Sequence, residues 1–274
     1  MTHQSLVKPP LVMGIVNVTP DSFSDGGRHA TTEAALVQAL KLIEQGADVL
    51  DVGGESTRPG SDPVDEAEET ARVAPLIAEI RARWDGRISI DTMKPAVARA
   101  AVVAGATMWN DVTALNHAPD SLATAAELGC EVVLMHMKGA PKTMQDDPRY
   151  GDVTAEVVAF LAARAEAAVA AGIAREKIWL DPGIGFAKTT AHNLTLTARL
   201  GALVDLGFPV LYAASRKRLI QGVDAAAIEA GDRLGGSLAL ALEGGRRGAR
   251  MVRVHDVRET VQALKLQAAV TAAG

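Results

Sequence analysis

Residues 87–110 read RISIDTMKPAVARAAVVAGATMWN. Arg87–Asp91 is a short β-like run, and Pro95–Ala104 is a helical stretch with proline at its start, where the missing N–H costs nothing. Gly105 follows the helix, where glycine accepts positive φ cheaply, and Thr107–Asn110 opens the next β-like run. The unit is strand, helix, strand.

Working outward, the unit repeats along the chain. Further candidate strands are Leu11–Asn17, Asp48–Val52, Glu131–His136, Ile178–Leu180, Pro209–Ala213 and Arg250–Val254. Candidate helices are Thr32–Gln45, Pro63–Arg81, Ser121–Leu128, Thr154–Ala171, Ala191–Val204, Arg233–Gly245 and Val257–Val270. Gly46, Gly129, Gly172 and Gly207 close helices as Gly105 does, and Asp62-Pro63 reads as a cap followed by proline at the first helical position. Pro75 predicts a kink. The glycines of 235–248 predict a close-packed face, against the barrel or a second subunit. Eight strands alternating with eight helices predict a parallel sheet covered by helices. The 274 residues match one TIM (β/α)8 barrel, typically about 250 residues, so a single domain over 1–274 is expected. An open doubly wound sheet is the alternative left by the pattern.

Composition narrows the function. Apolar residues make up 48% of the chain and aromatics 3%, so the core is built from Ala, Val, Leu and Ile. A net charge of −5 argues against a general nucleic-acid coat, but not against a local cationic site. Cys130 is alone, which excludes an internal disulfide and a cysteine-cluster zinc site. No signal peptide or membrane-length apolar run is visible, so a soluble cytoplasmic protein is expected.

In such a barrel, reactive groups lie at the C-terminal ends of the strands. Polar residues fall there repeatedly: Asn17, the stretch Gly53–Ser61, Asp91, Asn110-Asp111, His136, Asp181, Ser215-Arg216-Lys217 and Arg253-Val254-His255-Asp256. Arg58, Arg216, Lys217, Arg253 and His255 form a cationic group suited to phosphate oxygens. Asp91, Asn110 and Asp181 offer acceptors and an amide for a flat heterocycle with N–H donors. Plainer readings stand beside these. Asp91 or Asp181 can cap a helix, Asn110 can sit in a turn, and Arg253 can form a surface ion pair. His136, between Met135 and Met137, reads as a packed core histidine, and Glu55 as an orienter of the second loop. Gly183–Lys188 fails as a dinucleotide or P-loop fingerprint, no Gly-x-Ser-x-Gly elbow occurs, and no His/Cys set fits zinc.

At these residues the sequence resembles the dihydropteroate synthase family. The long matches are Met13–Gly27 and Asp51–Gly60. Shorter ones follow in chain order at Ile90–Thr92, Asn110–Val112, Leu134–Met137, Asp181–Gly183, Ser215–Lys217 and Arg253–Asp256. The resemblance implies a homodimeric barrel that joins 6-hydroxymethyl-7,8-dihydropterin diphosphate to 4-aminobenzoate and releases diphosphate. It implies pterin contacts from Asp91, Asn110, Met135, Asp181 and Lys217, and diphosphate contacts from Asn17, Thr57, Arg58, Arg253 and His255. Thr57, Pro59, Phe186, Lys217 and Arg218 would line the aminobenzoate pocket. Asn17 would meet Mg2+, and Asn17, Asp91, Lys217, Arg253 and His255 would carry the catalysis. Arg218 stands where the family commonly has serine, and Ile184 replaces an often aromatic position. A methylfolate-dependent methyltransferase barrel would share the heterocycle half but not need the diphosphate half, and a non-catalytic pterin binder is the reading from outside enzymes.

Overall fold

The computed structural model describes residues 9–18, 27–56, 62–139 and 143–273, with the backbone alone for 27–31. Its strands are β1 (Leu11–Asn17), β2 (Val49–Gly53), β3 (Arg87–Asp91), β4 (Met108–Asp111), β5 (Glu131–Met135), β6 (Ile178–Asp181), β7 (Leu211–Tyr212) and β8 (Met251–Val254). They pair in parallel in the order β6-β5-β4-β3-β2-β1-β8-β7. Leu180 in β6 bridges Val210, just before β7, so the two sheet ends meet. Closure into a barrel excludes the open doubly wound alternative.

The helices are α1 (Gly27–Glu44), α2 (Glu66–Arg81), α3 (Pro95–Ala104), α4 (Ser121–Leu128), α5 (Val153–Ala170), α6 (Thr190–Ala198), α7 (Gly201–Val204), α8 (Arg218–Gln221), α9 (Leu234–Arg246) and α10 (Val257–Ala273). Three differences from the sequence reading stand out. Asp65, not Asp62, caps α2, accepting from the Glu68 N–H at 2.7 Å. The expected helix over 191–204 breaks into α6 and α7, and α8 is a turn not foreseen. The five glycines expected at helix ends do adopt positive φ.

Alternation along the strands separates two cores. Residues facing outward, among them Leu50, Val52, Ile88, Ile90, Trp109 and Leu180, pack against the helices. Met13, Val49, Met108, Val133, Trp179, Leu211 and Met251 form a second cluster, one residue from each of seven strands, that fills the barrel interior. The close packing expected of the 235–248 glycines is met within the chain. A Cβ on Gly244 would lie 2.6 Å from the ring of buried Tyr212.

Candidate active site

The interior cluster is the floor of the site. Two residues further along the same strand faces stand Asp51, Asn110, Met135, Asp181 and Arg253, with Asn17 four residues beyond Met13. Asp91 joins them through its register with Asn110 and Gly53. The polar layer thus arises from the same period-two pattern as the apolar floor, with the floor near the strand starts and the polar layer toward their C-terminal ends.

Side chains from opposite walls meet in this layer. Arg253 on β8 donates from Nε to Asp51 Oδ2 at 2.5 Å and from Nη2 to Asp91 Oδ2 at 2.7 Å. Asp51 Oδ2 also accepts from Asn110 Nδ2 at 3.2 Å. β1 separates β8 from β2, so these contacts cross the interior. Arg253 and the acidic group are therefore one constellation, and the surface ion-pair reading of Arg253 is set aside. Asp51 Oδ1 and Asp91 Oδ1 are buried without a hydrogen-bond partner among the described residues. An unmet buried acceptor costs about 1–3 kcal/mol, a gain open to a ligand that brings N–H donors.

Electrostatics follow from burial. Burial pushes Asp91 up, against the pull of Arg253. Burial also lifts Asp181 to about 6, opposed by the Gly183 N–H, which donates to Oδ1 at 2.7 Å, and by Lys217. Burial opposes the Arg253 charge, and Asp51 and Asp91 more than offset it. Neither Asp91 nor Asp181 caps a helix: the residue before α3 is Lys94 and the cap of α6 is Thr189.

The remaining predicted residues that are described lie on or after the C-terminal ends of β1, β5, β6, β7 and β8. Met135 is buried and registers with Asp181. The Lys217 ammonium lies 4.1 Å from the centre of the Phe186 ring. His255 faces Ser215, with Nδ1 3.0 Å from its Oγ, so the ends of β7 and β8 are linked. Arg218 opens α8 with an exposed side chain, and Asn17 ends β1 half-buried. The Arg216 guanidinium is held by both carboxylate oxygens of Asp256, at 3.0 and 2.5 Å. Thr57, Arg58 and Pro59 lie outside the described residues. His136 is buried and packs edge-on against Phe160, as a core histidine does.

Two features escaped the sequence reading. Asp51 sits in mid-strand, so a search of strand ends passes over it; the two-residue spacing from Val49 is the signal that finds it. Behind the second loop, Lys94 bridges Glu55 and fully buried Glu69, the latter at 2.5 Å. Burial raises Glu69, although Lys94 opposes it. This bridge fixes the Glu55 carboxylate; the loop it is expected to orient lies, over 57–61, outside the described residues.

No group of three or more His, Cys, Asp or Glu side chains among the described residues could hold a metal ion. Asn17 offers one amide oxygen at the mouth. That suits Mg2+, which binds few protein ligands and shares substrate phosphates, and does not suit a resident metal cage.

Comparison with known proteins agrees with this chemistry. The family model described as pterin binding enzyme matches residues 13–255. The dihydropteroate synthase of Escherichia coli K12 is 46% identical over 264 residues, covering 96% of this chain and 93% of that protein. The Xanthomonas albilineans dihydropteroate synthase solved with 4-aminobenzoic acid superposes with a TM-score of 0.91 at 51% identity, over 97% of this chain and 94% of that one. The same enzyme in complex with 7,8-dihydropteroate gives 0.87 at 47% identity, over 97% and 95%.

Proposed function

The chain belongs to the dihydropteroate synthase family of pterin-binding enzymes, and from that premise we propose how its barrel mouth performs the transfer. The reaction joins 6-hydroxymethyl-7,8-dihydropterin diphosphate to 4-aminobenzoate, giving 7,8-dihydropteroate and diphosphate. The observation that carries this reading is the Arg253 bridge. One guanidinium, able to grip a phosphate, lies in contact with Asp91, a carboxylate that would hold the ring bearing that phosphate, and with Asp51 beside it.

The pterin takes Asp91, Asn110, Met135, Asp181 and Lys217. The two carboxylates accept from ring and amino N–H groups, and the unpartnered Asp91 Oδ1 supports this assignment. Asn17, Thr57, Arg58, Arg253 and His255 take the diphosphate. Thr57, Pro59, Phe186, Lys217 and Arg218 border the aminobenzoate. Asn17 would hold, by its amide oxygen, a Mg2+ ion brought with the diphosphate, and that ion would supply charge neutralisation there. We extend the reading to one domain over 1–274 and to a cytoplasmic homodimer on the family resemblance alone.

The aromatic amine is unprotonated at neutral pH, so no strong base is needed. The hard step is departure of diphosphate, as negative charge grows on the leaving oxygen. Arg253 and His255 stabilise that charge more in the transition state than in the ground state. The cation left on the pterin methylene is delocalised into the ring, beside Asp91 and Asp181. A dissociative path follows from this placement, with the amine adding after the C–O bond has opened.

The test is to mix the purified protein with the pterin diphosphate, 4-aminobenzoate and Mg2+ and to follow diphosphate. Release that depends on both substrates and yields dihydropteroate supports the reading. Binding without release would make the chain a non-catalytic pterin binder, and methyl transfer from a methylated folate would make it the other barrel enzyme.

A further inference from the structure

Behind the wall that carries Phe186 lies a buried lysine that the transfer does not use. Lys188 is 3% exposed. Its Nζ lies 3.0 Å from His136 Nδ1, 3.0 Å from the Gly183 carbonyl oxygen and 2.9 Å from that of Phe186, with the His136 carbonyl oxygen farther off at 3.3 Å. An ammonium has three N–H donors, and the three nearer acceptors use them all. Burial lowers Lys188 to about 7, and in its ammonium form it can only donate, so His136 Nδ1 then accepts. Burial, then the charge on Lys188, pushes His136 down to about 3 and keeps that ring neutral.

The loop that Lys188 gathers is conformationally demanding. Gly183 and Gly185 have φ of +68° and +82°, and a Cβ on Gly183 would lie 2.0 Å from the His136 carbonyl oxygen. Ala187 has φ of 49°, a region that L residues occupy only where their surroundings hold them. Two donors from the loop after β5 complete the hold. Gln145 Nε2 donates to the Gly185 carbonyl at 2.5 Å, and the Tyr150 hydroxyl to that of Ala187 at 2.9 Å. The carbonyls of Gly183, Gly185, Phe186 and Ala187 are thus all tied by side chains, and the Phe186 ring is set against Lys217.

We propose that Lys188 is a positioning residue for 4-aminobenzoate, acting through Phe186 without touching substrate. The proposal rests on the reading of Phe186 as a wall of the aminobenzoate pocket, and the experiment separates the two. Steady-state KM values for both substrates are measured in the wild type, Lys188→Met, Phe186→Ala and the double variant.

Phe186→Ala raises KM for 4-aminobenzoate about tenfold, and Lys188→Met raises it about threefold or more with KM for the pterin diphosphate within about twofold. In the Phe186→Ala background, Lys188→Met adds less than about twofold, because the group it positions is gone. Equal factors in both backgrounds overturn the proposal, as does an unchanged KM in Lys188→Met alone. If Phe186→Ala leaves KM unchanged, the wall reading fails first and takes the proposal with it. Should Lys188→Met not fold, Lys188→Gln, which removes the charge and keeps two N–H donors, runs through the same cycle with the same outcomes deciding.

Discussion

Arg253 Nη2 donates to Asp91 Oδ2 at 2.7 Å across the barrel interior, from β8 to β3. A group suited to diphosphate and a group suited to the pterin are therefore in contact. Arginine makes this possible, since its planar fork reaches Asp51 with Nε and Asp91 with Nη2 together, which a lysine ammonium on one flexible stem does not reproduce. On the proposed reading, ring recognition and leaving-group stabilisation would share one electrostatic unit.

Asp51 holds that unit in place, because its Oδ2 accepts from both Arg253 and Asn110. Asp51→Asn keeps the shape and removes the charge. Hydrogen bonds to charged groups contribute about 1.5–3 kcal/mol, so kcat/KM for the pterin diphosphate should fall about tenfold or more. Steady-state kinetics check this, and a value within twofold of wild type contradicts the role.

Asp181 makes stability depend on pH. Its folded pKa of about 6 lies above the ordinary value of 3.8, so the folded state holds the proton more tightly. That contribution is complete below the ordinary value and is lost as pH rises through about 6. The melting temperature of the wild type minus that of Asp181→Asn should therefore decrease from pH 4 to pH 7. A flat difference would show the carboxyl to be ordinary, and one that increases would show its folded pKa to be lowered, either contradicting the prediction.

Much of this was legible in the sequence. The boundaries of β1, β3, α3 and α4 follow from the residues themselves, and strand-end polarity led to Asn17, Asp91, Asn110, Asp181 and Arg253. Asp51 was not found, because a rule about strand ends does not look two residues back along the inward face. In the sequence Lys188 shows only as the residue that breaks a dinucleotide fingerprint. Its acceptors come from His136, Gly183 and Phe186, and such convergence exists only after folding. Pro63 drew the helix start to Asp62, whereas Asp65, three residues before Glu68, reaches the N–H that needs an acceptor.

Lys94 and Glu69 offer a test of stability apart from catalysis. Glu69 is fully buried and its cation is Lys94, so Lys94→Met leaves a carboxylate without a charged partner on that side. Breaking a buried pair costs about 3–5 kcal/mol. Urea denaturation should show a loss of that order, with part of it recovered in the Lys94→Met/Glu69→Gln double variant. Equal losses in the single and double variants would mean that the pairing is not the cause.

Gly244 sets two effects against each other. Alanine in a helix gains up to about 1 kcal/mol over glycine. Here its Cβ would sit 2.6 Å from a ring carbon of Tyr212, which is buried and fixed by a 2.8 Å hydrogen bond to Thr197. Overpacking costs about 1–3 kcal/mol, so Gly244→Ala should be destabilising in a thermal melt. An unchanged or raised melting temperature would show that α9 can move away from β7.

The most direct measurement is diphosphate release by Arg253→Ala, with kcat and KM determined separately. If Arg253 stabilises charge on the departing diphosphate, kcat falls by about 10²-fold or more while KM for the pterin diphosphate changes far less. A variant that keeps the wild-type kcat and only raises KM would mean that Arg253 merely binds, and the account of the transfer would be wrong.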